Sequence, residues 1–302
     1  MLHLTHGRLR ARILPEAGGA LTGFDYRKGA DRVPLMRPFE PSATFRGKEP
    51  DPNQLACYPL LPWSNRIAHG GFVVDGRRVT LEANRDDDPY PIHGSGWQRA
   101  WQVLSCNGRE ARLVLDERAK DAYAYRANLH YLLHADALEV MLEVTNTGEH
   151  TLPFGLGLHP FFPRHRDTTL RAPAARVWLN DGRSPLPVEC VDVPPAWNFD
   201  NARPLPDGLN HGFHAWSGDA VIGWPAHGLR LQVAADVDAF VLYTPAGEDF
   251  FCFEPVDHAI NAVHLPGGAA ANGMTLLAPR SGLARRFAFR VLDEAAHPLP
   301  GT

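Results

Sequence analysis

Cysteine is scarce. Cys57, Cys106, Cys190 and Cys252 are widely separated in a chain of 302 residues and form no CxxC pair, which argues against a disulfide framework and a structural zinc site. No uninterrupted apolar run reaches the roughly 18 residues that a membrane-spanning helix needs. The opening stretch Met1 to Arg10 lacks the apolar core of a signal peptide, so the expected location is the cytoplasm. Basic excess is missing as well: the net charge of −4 gives no footprint for nucleic acid. Fifteen histidines occur without an H-E-x-x-H or H-x-H cluster, so no metal and no cofactor is expected. Asp86, Asp87 and Asp88 form a small acidic group that reads as a solvated loop, because the ligand spacing of a calcium-binding EF-hand is absent. Long stretches with helical period and caps at both ends are wanting, as are internal repeats and low-complexity tracts.

What the chain does have is period-two alternation. Leu138, Val140, Leu142 and Val144 share one face of a strand that ends in the turn Asn146-Thr147-Gly148. Leu229 to Val233, Arg286 to Val291, Arg109 to Leu115 and Tyr125 to Leu133 read the same way. Phe72 to Leu81 reads as a hairpin with Asp75-Gly76 at its turn. Ala119 to Tyr123 is expected to form a short turn, Pro185 to Pro206 a long surface loop, and Asp293 to Thr302 a frayed tail. Glycine and proline, 27 of each, are spread evenly and mark no linker. Strands separated by turn signals predict an all-β sandwich over residues 1–302 as a single domain.

Four segments set a polar side chain among aromatics and prolines. In Leu152 to Pro163, His159 is the one titratable group; three prolines forbid a helix, and Gly155 and Gly157 allow close backbone approach. A lone histidine of this kind is either a satisfied core residue or a ligand neighbour. In Leu61 to Ile67, Arg66 beside Trp63 and Asn65 offers a planar fork of donors for hydroxyls or carboxylates, or else caps a sheet edge. His93 lies between a proline turn and the loop Gly94-Ser95-Gly96. Glu254, flanked by Phe251, Phe253 and Pro255, is costly to bury without a partner. Desolvation would raise its pKa towards that of a general base working near neutral pH, unless the alternation turns it outward to solvent. Trp63, Phe72 and Trp97 could stack on the apolar face of a sugar ring.

Taken in order, Asn65-Arg66-Ile67 with Gly70-Gly71-Phe72, Ile92-His93-Gly94, Gly157 to Phe162, Tyr243-Thr244-Pro245 and Cys252 to Pro255 resemble the aldose 1-epimerase (galactose mutarotase) family. Each motif is weak alone, whereas the ordered set is specific and covers nearly the whole chain. The resemblance implies a β-supersandwich of the galactose mutarotase type and interconversion of the anomers of a free aldose without metal or cofactor. It implies Glu254 as general base, His159 as general acid, and Arg66 and His93 as groups that hold the sugar. Where the family usually has an aspartate, this chain has Asn210, an amide that carries no charge.

Such a pair would open the ring by removing the C1 hydroxyl proton and protonating the ring oxygen. It is expected to rest with the carboxylate negative and the imidazole positive, each favouring the other's ionised form. The rival readings are a non-catalytic sugar-binding sandwich, a glycosidic-bond enzyme, and a mutarotase for phosphosugars. The second needs paired carboxylates, of which only Glu254 is convincing. The third needs extra cations, for which Arg46, Lys48 and Arg99 are available. The partner expected is a small-molecule aldose, with no nucleic acid or membrane, and the protein a monomer or loose homodimer.

Overall fold

The structure, a computed structural model, describes residues 1–39, 51–119 and 122–293. Arg46, Lys48, the middle of the turn at Ala119 to Tyr123 and the tail beyond Asp293 therefore lie outside the described residues. The strands gather into two large antiparallel sheets, and the helices are short turns of three or four residues. None is long and apolar enough to cross a membrane.

Among the described residues the larger sheet has eleven strands and the smaller nine. The centre of the larger sheet runs Cys57–Leu60, Gly157–Pro163, Phe250–Val256, Ala239–Tyr243 and Asn210–Trp216. In the smaller sheet Ala137–Asn146 pairs with Ala124–Leu133 and with Gly282–Asp293. Its alternation is the one the sequence predicts: Leu138, Val140, Leu142 and Val144 are buried while Glu139, Met141 and Glu143 are only partly so. The predicted hairpin forms from Gly71–Val74 and Arg77–Thr80, and both turn residues, Asp75 and Gly76, take positive φ as a type I′ turn demands.

A large apolar cluster contains residues of both sheets, including Phe240, Leu242, Phe251 and Phe253 from the larger and Leu138, Val140, Leu231 and Phe287 from the smaller. A second cluster holds the alternate residues of the larger sheet, among them Tyr58, Phe161, Val241, Cys252 and Val256. Alternation thus splits each central strand: Phe251 and Phe253 join the inter-sheet core, and Cys252 and Glu254 point to the other face.

Pro185 to Pro206 is not one surface loop. It contains Glu189–Asp192, an edge strand of the larger sheet, and Arg203–Pro204, an edge strand of the smaller. Proline is tolerated in edge strands, where one row of amides has no ladder partner.

Candidate active site

Glu254 and His159 meet on the second face of the larger sheet. Gly157 lies opposite Val256 and Phe161 opposite Cys252, and this register sets His159 across from Glu254. On its other side His159 pairs with Tyr58. Three side chains from three chain segments therefore stand in one row, roughly 4.8 Å apart from strand to strand. The His159 Nε2 to Glu254 Oε1 distance is 3.3 Å, with both side chains almost fully buried. Gly155 and Gly157 let this strand pack closely. A Cβ at Gly155 would stand 2.1 Å from Cδ2 of His258, and one at Gly157 would stand 2.8 Å from the carbonyl oxygen of Pro255.

Burial governs the charges. It pushes the Glu254 carboxyl up to about 8, against an opposing pull from the Arg66 cation. It brings His159 down to about 3, with the cations Arg37 and Arg85 adding to the effect. The expected resting ion pair is thus replaced by a neutral pair, because desolvation of both groups outweighs their attraction. The two descriptions contain the same single proton. Moving it from Glu254 to His159 restores the ion pair without exchange with solvent.

His93 approaches from a turn above the sheet. Its ring centroid is 5.1 Å from that of His159 in an edge-to-face arrangement. The Asn65 amide donates to His93 Nδ1 at 3.0 Å, which fixes the proton on Nε2. Both residues take positive φ, and at Gly94 a Cβ would lie 2.1 Å from the carbonyl oxygen of Leu61, so the turn admits glycine alone. Burial and the nearby His159, Arg66 and Arg85 keep His93 neutral, leaving its Nε2–H a donor for a ligand oxygen. Arg66 donates through Nε to Asp88 at 2.7 Å and through Nη1 to Asn65 Oδ1 at 3.3 Å. Asp88 is therefore no solvated loop residue; it is the anchor of Arg66. Asn210 begins its strand opposite Tyr243, which in turn lies opposite Cys252, so it shares the face of Glu254 at the neighbouring row.

The predicted aromatic platform is not there. Phe72 is buried in the large core beside Tyr123. Trp63 belongs to the same core. Trp97 is 1% exposed and packs behind the site against Tyr58, at 5.2 Å, and His93, at 5.8 Å. Arg99 is tied to Glu117 through Nε at 2.7 Å. Tyr58 and Asp88 are site components that sequence reasoning passes over. The pairing of Tyr58 with His159 arises between segments a hundred residues apart, and only its position in a short strand beside proline hints at it. Asp88 looks like one of three equivalent acids.

One grouping among the described residues brings metal-ligand atoms together: His159, Cys252 and Glu254, within 4.8 Å of one another. Histidine ligands normally donate their second ring nitrogen to an outer partner. Here His159 Nδ1 and Glu254 Oε2 are buried without any, so the outer support of a metal centre is missing.

The profile of the aldose 1-epimerase family matches residues 1–280. The chain belongs to the aldose 1-epimerase family. A relative in Escherichia coli K12, the uncharacterised protein YphB, is 33% identical over 298 residues, covering 95% of this chain and 97% of its own. A crystal structure of a proposed aldose 1-epimerase from Escherichia coli K12 superposes with a TM-score of 0.86 at 32% identity, covering 96% of this chain and 98% of that one. The fold is shared more widely: a galactose mutarotase-like protein from Clostridium acetobutylicum gives a TM-score of 0.80 at 17% identity, over 96% of this chain and 94% of its own. The sheets described above are those of the galactose mutarotase-like fold, as the sequence predicts.

Proposed function

We propose that this member of the aldose 1-epimerase family interconverts the α and β anomers of a free aldose, with Glu254 as general base and His159 as general acid. The observation that carries the proposal is the buried 3.3 Å contact between the two groups, which together hold one proton on a face with further polar groups beside it. In the working form the shared proton sits on His159. Glu254 takes the C1 hydroxyl proton while His159 protonates the ring oxygen, and the C1–O5 bond breaks. Rotation about C1–C2 presents the other carbonyl face, and closure runs the same steps backwards. Arg66 and His93 donate to sugar oxygens, and Asn65 holds both: its amide fixes the His93 tautomer and its side-chain oxygen takes an Arg66 donor. Asn210 stands at the edge of this set as a neutral group that both donates and accepts.

The test is polarimetry with freshly dissolved α-glucose and α-galactose, then a panel of other aldoses. Faster decay of optical rotation than in buffer is expected for at least one sugar. Binding of sugars with no acceleration of any of them would favour a sugar-binding role and end the catalytic reading. Asn210→Asp is expected to change the order of preference across the panel; an unchanged order would remove Asn210 from the site.

A further inference from the structure

Cys252 stands two residues before Glu254, on the same face of its strand. His159 reaches both from the neighbouring strand, where Phe161 lies opposite Cys252. One ligand atom from each of the three side chains lies within 4.8 Å of the other two. The imidazole and carboxyl members are 3.3 Å apart, which is about the edge of a tetrahedral shell built from bonds of about 2.0–2.3 Å. All three residues are buried, and Glu254 Oε2 has no hydrogen-bond partner among the described residues. A carboxylate oxygen in that position is an acceptor still available to a cation.

The charge count favours one class of ion. At neutral pH the pair holds one proton, and burial, with Glu254 adding to it, keeps the Cys252 thiol protonated as well. A divalent ion bound by an imidazole, a carboxylate and a thiolate replaces those two protons. Two protons leave for each ion that enters, and no net charge is left in the dry pocket. Sulfur and imidazole suit zinc and its softer congener cadmium, whereas magnesium and calcium take oxygen ligands. The fourth tetrahedral position is left to water.

We infer that His159, Cys252 and Glu254 form an inhibitory site for a thiophilic divalent cation, zinc or cadmium, which competes with the sugar for the same acid and base. The inhibition rests on the epimerase reading; the binding does not. His159 Nδ1 is buried without the outer partner whose loss costs about 10–100-fold in metal affinity. The ion is therefore an exchangeable inhibitor and not a resident cofactor. The His159 side chain is 10% exposed and that of Glu254 3%, so the ion enters past the imidazole.

The experiment titrates cadmium chloride into the full-length protein and follows the ultraviolet thiolate-to-cadmium absorption, and in parallel measures anomer exchange with zinc chloride present. Cys252→Ser keeps the side-chain size and removes the thiolate; Cys252→Ala serves if the serine variant fails to fold. Cys106 and Cys190, which are not buried, remain in every variant, so a difference belongs to Cys252. The wild type is expected to gain a saturable band that a chelator removes, and to release two protons per ion in weakly buffered solution. The Cys252 variants are expected to bind at least about tenfold more weakly, since losing a ligand costs no less than losing an outer partner. They are expected to exchange anomers at the wild-type rate in zinc concentrations that stop the wild type, and magnesium is expected to slow neither. Identical cadmium titrations in the wild type and the Cys252 variants would overturn the site, and full exchange by the metal-loaded wild type would overturn the inhibition. Absence of anomer exchange in the metal-free wild type would instead overturn the epimerase reading, and the absorption titration would still decide the site.

Discussion

At the scale of single residues, the site is defined by two groups that are neutral because they are dry. Glu254→Gln keeps the shape and removes the proposed base, and His159→Asn removes the proposed acid. Positioned acid–base groups are each worth about 10²–10⁴-fold in rate, so each variant is expected to lose at least about a hundredfold in anomer exchange while still binding sugar. Polarimetry together with equilibrium binding separates the two effects; full exchange in Glu254→Gln would remove the assigned base. The pH profile follows from the proton count. The pair works with one proton, and it loses that proton as pH rises through the Glu254 value of about 8. It gains a second as pH falls towards the His159 value of about 3. Activity is therefore expected to be level through neutral pH and to fall above about 8, and a rate that keeps rising beyond that point would contradict the assignment. Isolation of Glu254 and His159 in apolar segments made both legible in the sequence, since a lone ionisable group among phenylalanines needs a partner. Tyr58 and Asp88 were not legible. Their roles come from rings and charges supplied by distant segments, and locally they look like ordinary strand and loop residues.

At the scale of elements, close packing of the His159 segment depends on missing side chains. His258 is buried, kept neutral by its surroundings, and accepts a hydrogen bond from the Ser64 amide at 3.0 Å. Its ring occupies the space a Cβ at Gly155 would need. Gly155→Ala is expected to destabilise the protein by about 1–3 kcal/mol, the usual cost of overpacking. Shrinking the obstructing ring in the double variant with His258→Ala should recover part of that loss, and strict additivity in denaturant titrations would show that the ring is not the obstacle. Strand periodicity and the Asp75-Gly76 turn were readable because they are local. The two edge strands inside Pro185 to Pro206 were masked by the prolines in and around them. The stacking roles given to Phe72 and Trp97 failed because aromaticity says nothing about how deeply a ring is buried.

At the scale of the whole molecule, the buried pair makes folding stability depend on pH in two opposite ways. The folded carboxyl of Glu254, at about 8, lies above its ordinary value of 4.5. Between those limits the folded state holds a proton that the unfolded chain releases, so this contribution is present at low pH and is lost as pH rises. His159, at about 3, lies below its ordinary 6.5. Its contribution is present above 6.5 and is lost as pH falls through about 3. In urea titrations Glu254→Gln is expected to be relatively more stable at about pH 9 than at about pH 5, measured against the wild type; a pH-independent difference would mean that Glu254 titrates normally.

The strand Phe250–Val256 serves both faces of its sheet, with Phe251 and Phe253 inward and Cys252 and Glu254 on the side of the site. Sliding it by one position would exchange the two sets, driving an acid into the oil and a benzene ring into the row of Glu254 and His159. An inserted or deleted codon in this stretch would cost the protein its candidate site and its interior together.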